Sequence, residues 1–154
     1  MNDRIDIREA GVEALDEMML TMNDAFDPGF GEAWTASQSL SMLGLPGVWL
    51  SLARCDGEPA GFALNRIAAD EVELLLLAVR PAHRRMGIGL QLIEQTRDLA
   101  RQQQASKIHL EVRHNNPALQ LYVNAGFMLA GRRSGYYRGR DGASYDALTL
   151  CCVL

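Results

Sequence analysis

What this 154-residue chain lacks removes several kinds of chemistry at once. No apolar run approaches the roughly 18 to 20 residues that cross a bilayer as a helix. The opening "MNDRIDIREA" is polar and alternating, which reads as a strand and not as a secretory peptide. Cysteine is scarce: Cys55, Cys151 and Cys152 form an odd set, two of them adjacent, without metal-ligand spacing. That argues against a disulfide framework and for a reducing cytoplasm. His83, His109 and His114 lack metal-ligand spacing too, so they read as surface or loop residues and no metal is expected. Positive charge is not in excess either. Lys and Arg total 15 against 19 Asp and Glu, and the net charge of −4 gives no overall footprint for nucleic acid. The expectation is a soluble cytoplasmic protein with no membrane or nucleic-acid partner, and no pattern in the chain specifies an oligomeric state.

What is present is an ordinary globular composition, 48% hydrophobic and 22% charged, of a length suited to one domain over residues 1–154. Ile5 and Ile7 alternate as a first strand, and Leu15, Met18, Met19 and Met22 fall at helical spacing within Val12–Phe26. After the loop "DPGFGEAW", Thr35 with Gln38 spells a capping box for a second helix to about Leu43. "VWLSLARC" and "AGFALNRIA" alternate around Asp56-Gly57 as a hairpin, and a further turn near Ala69-Asp70 leads into "EVELLLLAV". That run reads as a strand covered on both faces. A helix to Gln104, a strand "KIHLEV", a short helix and two last strands follow. In the short helix Asn115 or Asn116 caps, Pro117 occupies the first turn and Gly126 terminates. The last strands, around Phe127–Tyr137 and Tyr145–Val153, flank "GRDGAS". The sum is an α/β domain with seven strands in a mixed sheet and four helices.

The stretch between the apolar strand and the long helix, "RPAHRRMGIG", carries the first chemical signal. Glycines 87 and 89 let a backbone approach a ligand, and a helix starting there offers free N–H groups and the positive end of its dipole. Arg84 and Arg85 add donors for phosphate, and a pyrophosphate is the guest these groups suit. A strand-to-helix turn with solvated arginines has the same local spelling. The magnesium-nucleotide loop G-x-x-x-x-G-K-S/T is absent, and the dinucleotide pattern fails at its third glycine, where Leu90-Gln91-Leu92 follows Gly89.

Arg84-Arg85-Met86-Gly87-Ile88-Gly89 resembles the R/Q-x-x-G-x-G/A signature of the GNAT N-acetyltransferases, and "LEVRHNNPALQLYVNAGF" resembles that family's later block. Within it, "LEVR", the "LY…GF" pair and "RRSGYYRGRDGASYDALTL" look most like the RimI-type ribosomal-protein N-terminal alanine acetyltransferases. The resemblance implies a GNAT fold, a single mixed and largely antiparallel sheet of about seven strands with about four helices. It implies acetyl-CoA as co-substrate, its pyrophosphate cradled by Arg84, Arg85, Met86, Gly87, Ile88, Gly89 and Leu90. The backbone of Leu77, Ala78 and Val79 would pair with the pantetheine arm, with one N–H for the thioester oxygen, and Asn115 would contact the arm or simply cap its helix. Two departures stand out: Met86 sits where many relatives carry a basic residue, and only His114 separates Arg113 from Asn115 where two residues are usual.

Acetyl transfer to an amine needs a neutral nucleophile. Deprotonation at pH 7 costs about 1.4 kcal/mol for an α-amine and about 4.6 kcal/mol for lysine, from reference pKa values near 8 and 10.4. Glu111 is the candidate base, projecting from its strand on the side opposite Leu110 and Val112. Tyr122 is the candidate acid, a phenol able to donate to the departing thiolate. Trp34, Tyr136 and Tyr137 are candidate walls of the acceptor site, though packed aromatics spell the same way. The implied activity is transfer, in a ternary complex, to a protein N-terminal α-amine, by likeness an alanine of a small-subunit ribosomal protein. A lysine side chain or small-molecule amine as acceptor, and a non-catalytic acyl-CoA sensor, remain the alternatives.

Overall fold

The computed structural model describes residues 4–154, and the polar opening Met1–Asp3 lies outside the described residues. Strand β1 (Ile5–Ala10) leads through a short 3-10 turn into helix α1 (Leu15–Ala25), then α2 (Ala36–Leu43). Strands β2 (Val48–Cys55), β3 (Glu58–Ala68) and β4 (Glu71–Val79) follow as a meander. Helix α3 (Ile88–Gln102), strand β5 (Lys107–Arg113), helix α4 (Ala118–Asn124) and strands β6 (Met128–Arg138) and β7 (Ser144–Val153) complete the chain. One seven-stranded sheet has the order β1-β2-β3-β4-β5-β7-β6, antiparallel everywhere except between β4 and β5.

Local chemistry accounts for the boundaries. Asp56 and Gly57 both take positive φ, +51° and +82°, as the tight β2–β3 hairpin demands. Thr35 accepts from the Gln38 N–H at 3.1 Å while Gln38 Oε1 accepts from the Thr35 N–H at 2.9 Å, so the capping box is complete. Asn116 caps α4 by accepting from the Ala118 N–H at 2.9 Å, and Gly126 turns the chain at φ +98°.

The four-leucine run has a more specific cause than burial on both faces. Between Leu64↔Leu76 and Asn65↔Leu74 the register skips a residue, so Leu75 is an extra residue bulged out of β4. Before the bulge, Val72 and Leu74 enter the core beneath α3 and α4. After it, Leu76 and Ala78 enter the opposite core beneath α1 and α2, and Leu77 and Val79 take the α3 side. A strict alternation cannot describe a strand whose faces exchange midway, and a run of leucines serves both sides.

His109 departs from its reading as a surface or loop residue. It lies within β5 and is half-buried, with Glu71 and Glu73 on neighbouring β4 at 3.7 and 3.8 Å from its ring nitrogens. Cys152 is buried, while its neighbour Cys151 is only partly so, as adjacent residues on a strand must be. Among the described residues no helix is long and apolar enough to cross a membrane.

Candidate active site

The site begins as an opening in the sheet. The parallel strands β4 and β5 pair at only three positions, Glu71↔Lys107, Val72↔Ile108 and Glu73↔His109, and then part. Leu77, Ala78 and Val79 stay paired with β3 on one flank, through Ala63, Phe62 and Gly61, and have no ladder partner on the other among the described residues. Leu110–Arg113 of β5 likewise pair with β7 alone. Backbone N–H and C=O groups seek partners, so the parted strands form a slot suited to a ligand with amide groups of its own.

Helix α3 opens at the mouth of this slot. Gly87, at φ +81°, stands at its N-cap without a side-chain cap, and the first intrahelical bond joins the Gln91 N–H to the Gly87 carbonyl. The N–H groups of Ile88, Gly89 and Leu90 therefore have no helical acceptor and gather the positive end of a 15-residue dipole. A Cβ on Gly87 would meet nothing within 4 Å, so its requirement is the left-handed backbone. Gly89 is different: a Cβ there would lie 2.7 Å from Leu121 Cδ2 of α4. The second glycine of the signature is set by helix packing and not only by ligand approach.

The two arginines also separate. Arg84 donates through Nε to the Val79 carbonyl at 3.0 Å and through Nη2 to the Ala25 carbonyl at 2.9 Å, tying the end of α1 to the end of β4. Arg85, at φ +64°, is exposed and engages none of these carbonyls. Met86 packs against the α3-side core, which accounts for an apolar residue at that position.

Around the C-terminal end of β5 the acidic and phenolic groups gather. Glu111 projects opposite Leu110 and Val112 as expected, but not alone: Arg133 of β6 pairs with it at 3.0 Å. Two residues on, Arg113 is 5% exposed and pairs through Nε with Glu32 at 3.0 Å, itself 14% exposed. The Arg113 guanidinium stacks 3.6 Å over the Phe30 ring and donates to Asn115 Oδ1, while Asn116 Nδ2 donates to Glu32 at 3.4 Å. Phe30 meets Tyr145 edge-on at 5.5 Å, and the Arg140 N–H donates to the Gly29 carbonyl at 2.9 Å. The loop between α1 and α2 is thus fastened to both β5 and the β6–β7 hairpin.

Tyr122 and Tyr137 belong to the same neighbourhood. Burial, then the Glu32 charge, then Tyr137 push the Tyr122 phenol well above its ordinary range. Tyr137 is pushed up to about 12 by burial first, then by Glu32, Glu111 and Tyr136, with Arg113 opposing. These shifts sharpen the acid chemistry. Even at reference values, proton transfer from a phenol near 10 to a thiolate of conjugate acid near 8.5 runs uphill by about 2 kcal/mol. In this setting Tyr122 keeps its proton throughout the physiological range, which suits it to donate a hydrogen bond to a sulfur anion.

The remaining predicted residues divide. Tyr136 is exposed and sits edge-on to Tyr137 at 5.1 Å, with Arg133 over its ring. Trp34 packs on the core beneath α1 and α2 and lines a groove of about 480 Å³ along α2 with Ser37, Gln38, Ser41, Met42 and Leu45. Asn115 is exposed, with its side-chain oxygen engaged by Arg113. Sequence reasoning missed Glu32 and passed over Arg113. The available signal was a lone carboxylate between Phe30 and Trp34 in a Gly- and Pro-rich loop, a weak one. Among the described residues no group of three or more His, Cys, Asp or Glu is arranged to hold a metal.

With the geometry in hand, similarity to known proteins follows. The model of the Acetyltransferase (GNAT) family matches residues 15–127. The chain is 36% identical over 96 residues to ribosomal protein bS18-alanine N-acetyltransferase of Escherichia coli strain K12, a match covering 62% of this chain and 64% of that relative. It is also 36% identical over 98 residues to streptothricin acetyltransferase of Streptomyces lavendulae, covering 62% of this chain and 52% of the relative. Both matches span less than two thirds of the relative's length. In three dimensions the crystal structure of the Escherichia coli ribosomal-protein-S18-alanine N-acetyltransferase superposes with a TM-score of 0.87 at 27% identity, covering 97% of this chain and 94% of that one.

Proposed function

Because the chain belongs to the GNAT acetyltransferase family, we propose that residues 1–154 form one acetyl-CoA-dependent N-acetyltransferase domain acting in the cytoplasm on a protein N-terminal α-amine. The acceptor is an alanine terminus of a small-subunit ribosomal protein, as the name of the Escherichia coli relative suggests. The observation carrying this reading is the slot between β4 and β5, with Glu111 on its β5 flank, and beside it an uncapped helix start whose Gly89 packs on Leu121, the neighbour of Tyr122.

When bound, acetyl-CoA supplies the acetyl group as a thioester. The chain's own groups bind and orient it. Arg85 and the N–H groups of Gly87, Ile88, Gly89 and Leu90 hold the pyrophosphate, while Arg84 and Met86 shape the loop that presents them. Leu77, Ala78 and Val79 offer backbone donors and acceptors along the slot, one N–H serving the thioester oxygen as charge grows on it. The side-chain amide of Asn115 stays available to the pantetheine arm. Glu111 takes up the proton of the acceptor amine, and Tyr122 holds its own proton toward the sulfur. Tyr136, Tyr137 and Trp34 flank the acceptor.

The test is acetylation of two peptides, with the modified atom read by fragment mass spectrometry. One peptide has a free N-terminal alanine in the ribosomal context; the other has that end blocked and an internal lysine free. Acetyl on the alanine alone, lost in Glu111→Gln, supports acceptor and base together. Acetyl on lysine moves the acceptor assignment, and bound cofactor with no acetyl on either peptide retires it. A small-molecule amine is the second reading, favoured by the equal 36% identity to the streptothricin enzyme. Turnover of streptothricin-like amines without peptide turnover would select it.

A further inference from the structure

The short helix α4 carries Tyr122, and what fixes it is unusual. Seven residues do not sustain a helix without outside support. Two supports come from one neighbour, α3. At its first turn Gly89 leaves no room for a Cβ, and Leu121, next to Tyr122, fills that space. Two turns on, Arg97 reaches the C-terminal end of α4. Its side chain is only 12% exposed, and Nη2 donates to the carbonyl of Ala125, the residue that closes α4. Glu94 at 2.5 Å and the Cys152 sulfur at 3.5 Å hold the guanidinium in place from α3 and β7.

Ala125 belongs to the turn in which Tyr122 itself is fastened. The Ala125 and Phe127 N–H groups donate to the Tyr122 carbonyl at 3.1 and 3.0 Å. A cation on the last carbonyls of a helix is stabilising through both hydrogen bond and dipole. From Ile88 to Arg97 is about 13 Å at 1.5 Å per residue, so one rigid rod spans the distance from the proposed phosphate cradle to the α4 clamp.

We propose that Arg97 is a positioning residue for Tyr122, clamping the acid's helix to the same rod that holds the cofactor so that phenol and sulfur share one frame of reference. This rests on the reading of Tyr122 as the hydrogen-bond donor to the departing sulfur. The experiment compares kcat and both KM values for wild type, Arg97→Ala, Arg97→Lys, Tyr122→Phe and the Arg97→Ala/Tyr122→Phe pair. Amide exchange of residues 118–127 is followed in parallel.

A misplaced reacting group costs roughly 10- to 100-fold, so Arg97→Ala lowers kcat at least tenfold with both KM values within twofold, and Arg97→Lys recovers most of it. Exchange in 118–127 accelerates while that of α3 does not, and in the Tyr122→Phe background Arg97→Ala has no further effect on kcat. If Arg97→Ala does not fold, Arg97→Gln carries the same comparison, keeping a donor without the charge. Unchanged kcat, equal losses in both backgrounds, or unaltered exchange overturns the clamp while leaving Tyr122 as acid. A silent Tyr122→Phe, or no turnover in wild type, removes the acid reading and the proposal with it.

Discussion

Replacing Arg113 by alanine strands a carboxylate that is mostly buried. Arg113 and Glu32 are 5% and 14% exposed, 3.0 Å apart, and 81 residues apart in sequence. Removing one partner of a buried pair costs about 3–5 kcal/mol, mostly because the other charge is left uncompensated. The stack over Phe30 adds about 1 kcal/mol at this burial. With a urea m-value of about 2 kcal/mol/M for a chain of this size, the unfolding midpoint should fall by about 2–3 M. The measurement is equilibrium urea unfolding of Arg113→Ala, Glu32→Gln and the double variant, with the slope checked for constancy. Since the cost resides in the stranded charge, Arg113→Ala/Glu32→Gln should be at least about 1 kcal/mol more stable than Arg113→Ala alone. A single-variant loss under about 1 kcal/mol, or a double variant as damaged as the sum, would refute the reasoning.

Other perturbations give smaller, cleaner signals. Gly87→Ala places a Cβ at φ +81° in open space, so it should cost about 1–2 kcal/mol from backbone strain alone, and raise the KM for acetyl-CoA by perturbing the start of α3. Gly87→Asn, better tolerated at that φ, should recover part of both. Thr35→Ala removes one half of the capping box and should cost about 1 kcal/mol by thermal unfolding, with no change in acetyl-CoA affinity. Folded Tyr122 and Tyr137 resist ionisation, Tyr137 until about pH 12, whereas unfolded phenols ionise near 10. Their contribution is therefore fully present below about pH 10 and lost as pH rises beyond it. Stability against pH should bend downward there, and Tyr137→Phe should make the bend shallower.

Much of this architecture is spelled locally. Asp56-Gly57, Thr35 with Gln38, and Pro117 with Gly126 act within a few residues, so turn and cap chemistry exposes them to a reader of the chain. Glu111 is visible for a similar reason, since apolar neighbours on both sides define its face of the strand. The β4 bulge is not, because a leucine at position 75 looks the same whether it continues an alternation or interrupts one. Nor is the Glu32–Arg113 pair, because a contact across 81 residues leaves no period behind. Gly89 was visible as a glycine, but the reason for it sits on another helix, in Leu121.

The three residue pairs between β4 and β5 make the molecule resemble a bound book more than a slab. One cover is β1–β4 with α1 and α2, and their core draws only on residues up to Ala78. The other cover is β5, β7 and β6. The core beneath α3 is the binding, since it alone joins residues of both covers, Leu74 with Leu110 and Leu150 among them. On the opposite side Glu32 and Arg113 act as the clasp. Undoing the clasp should loosen the two covers from each other while the binding holds.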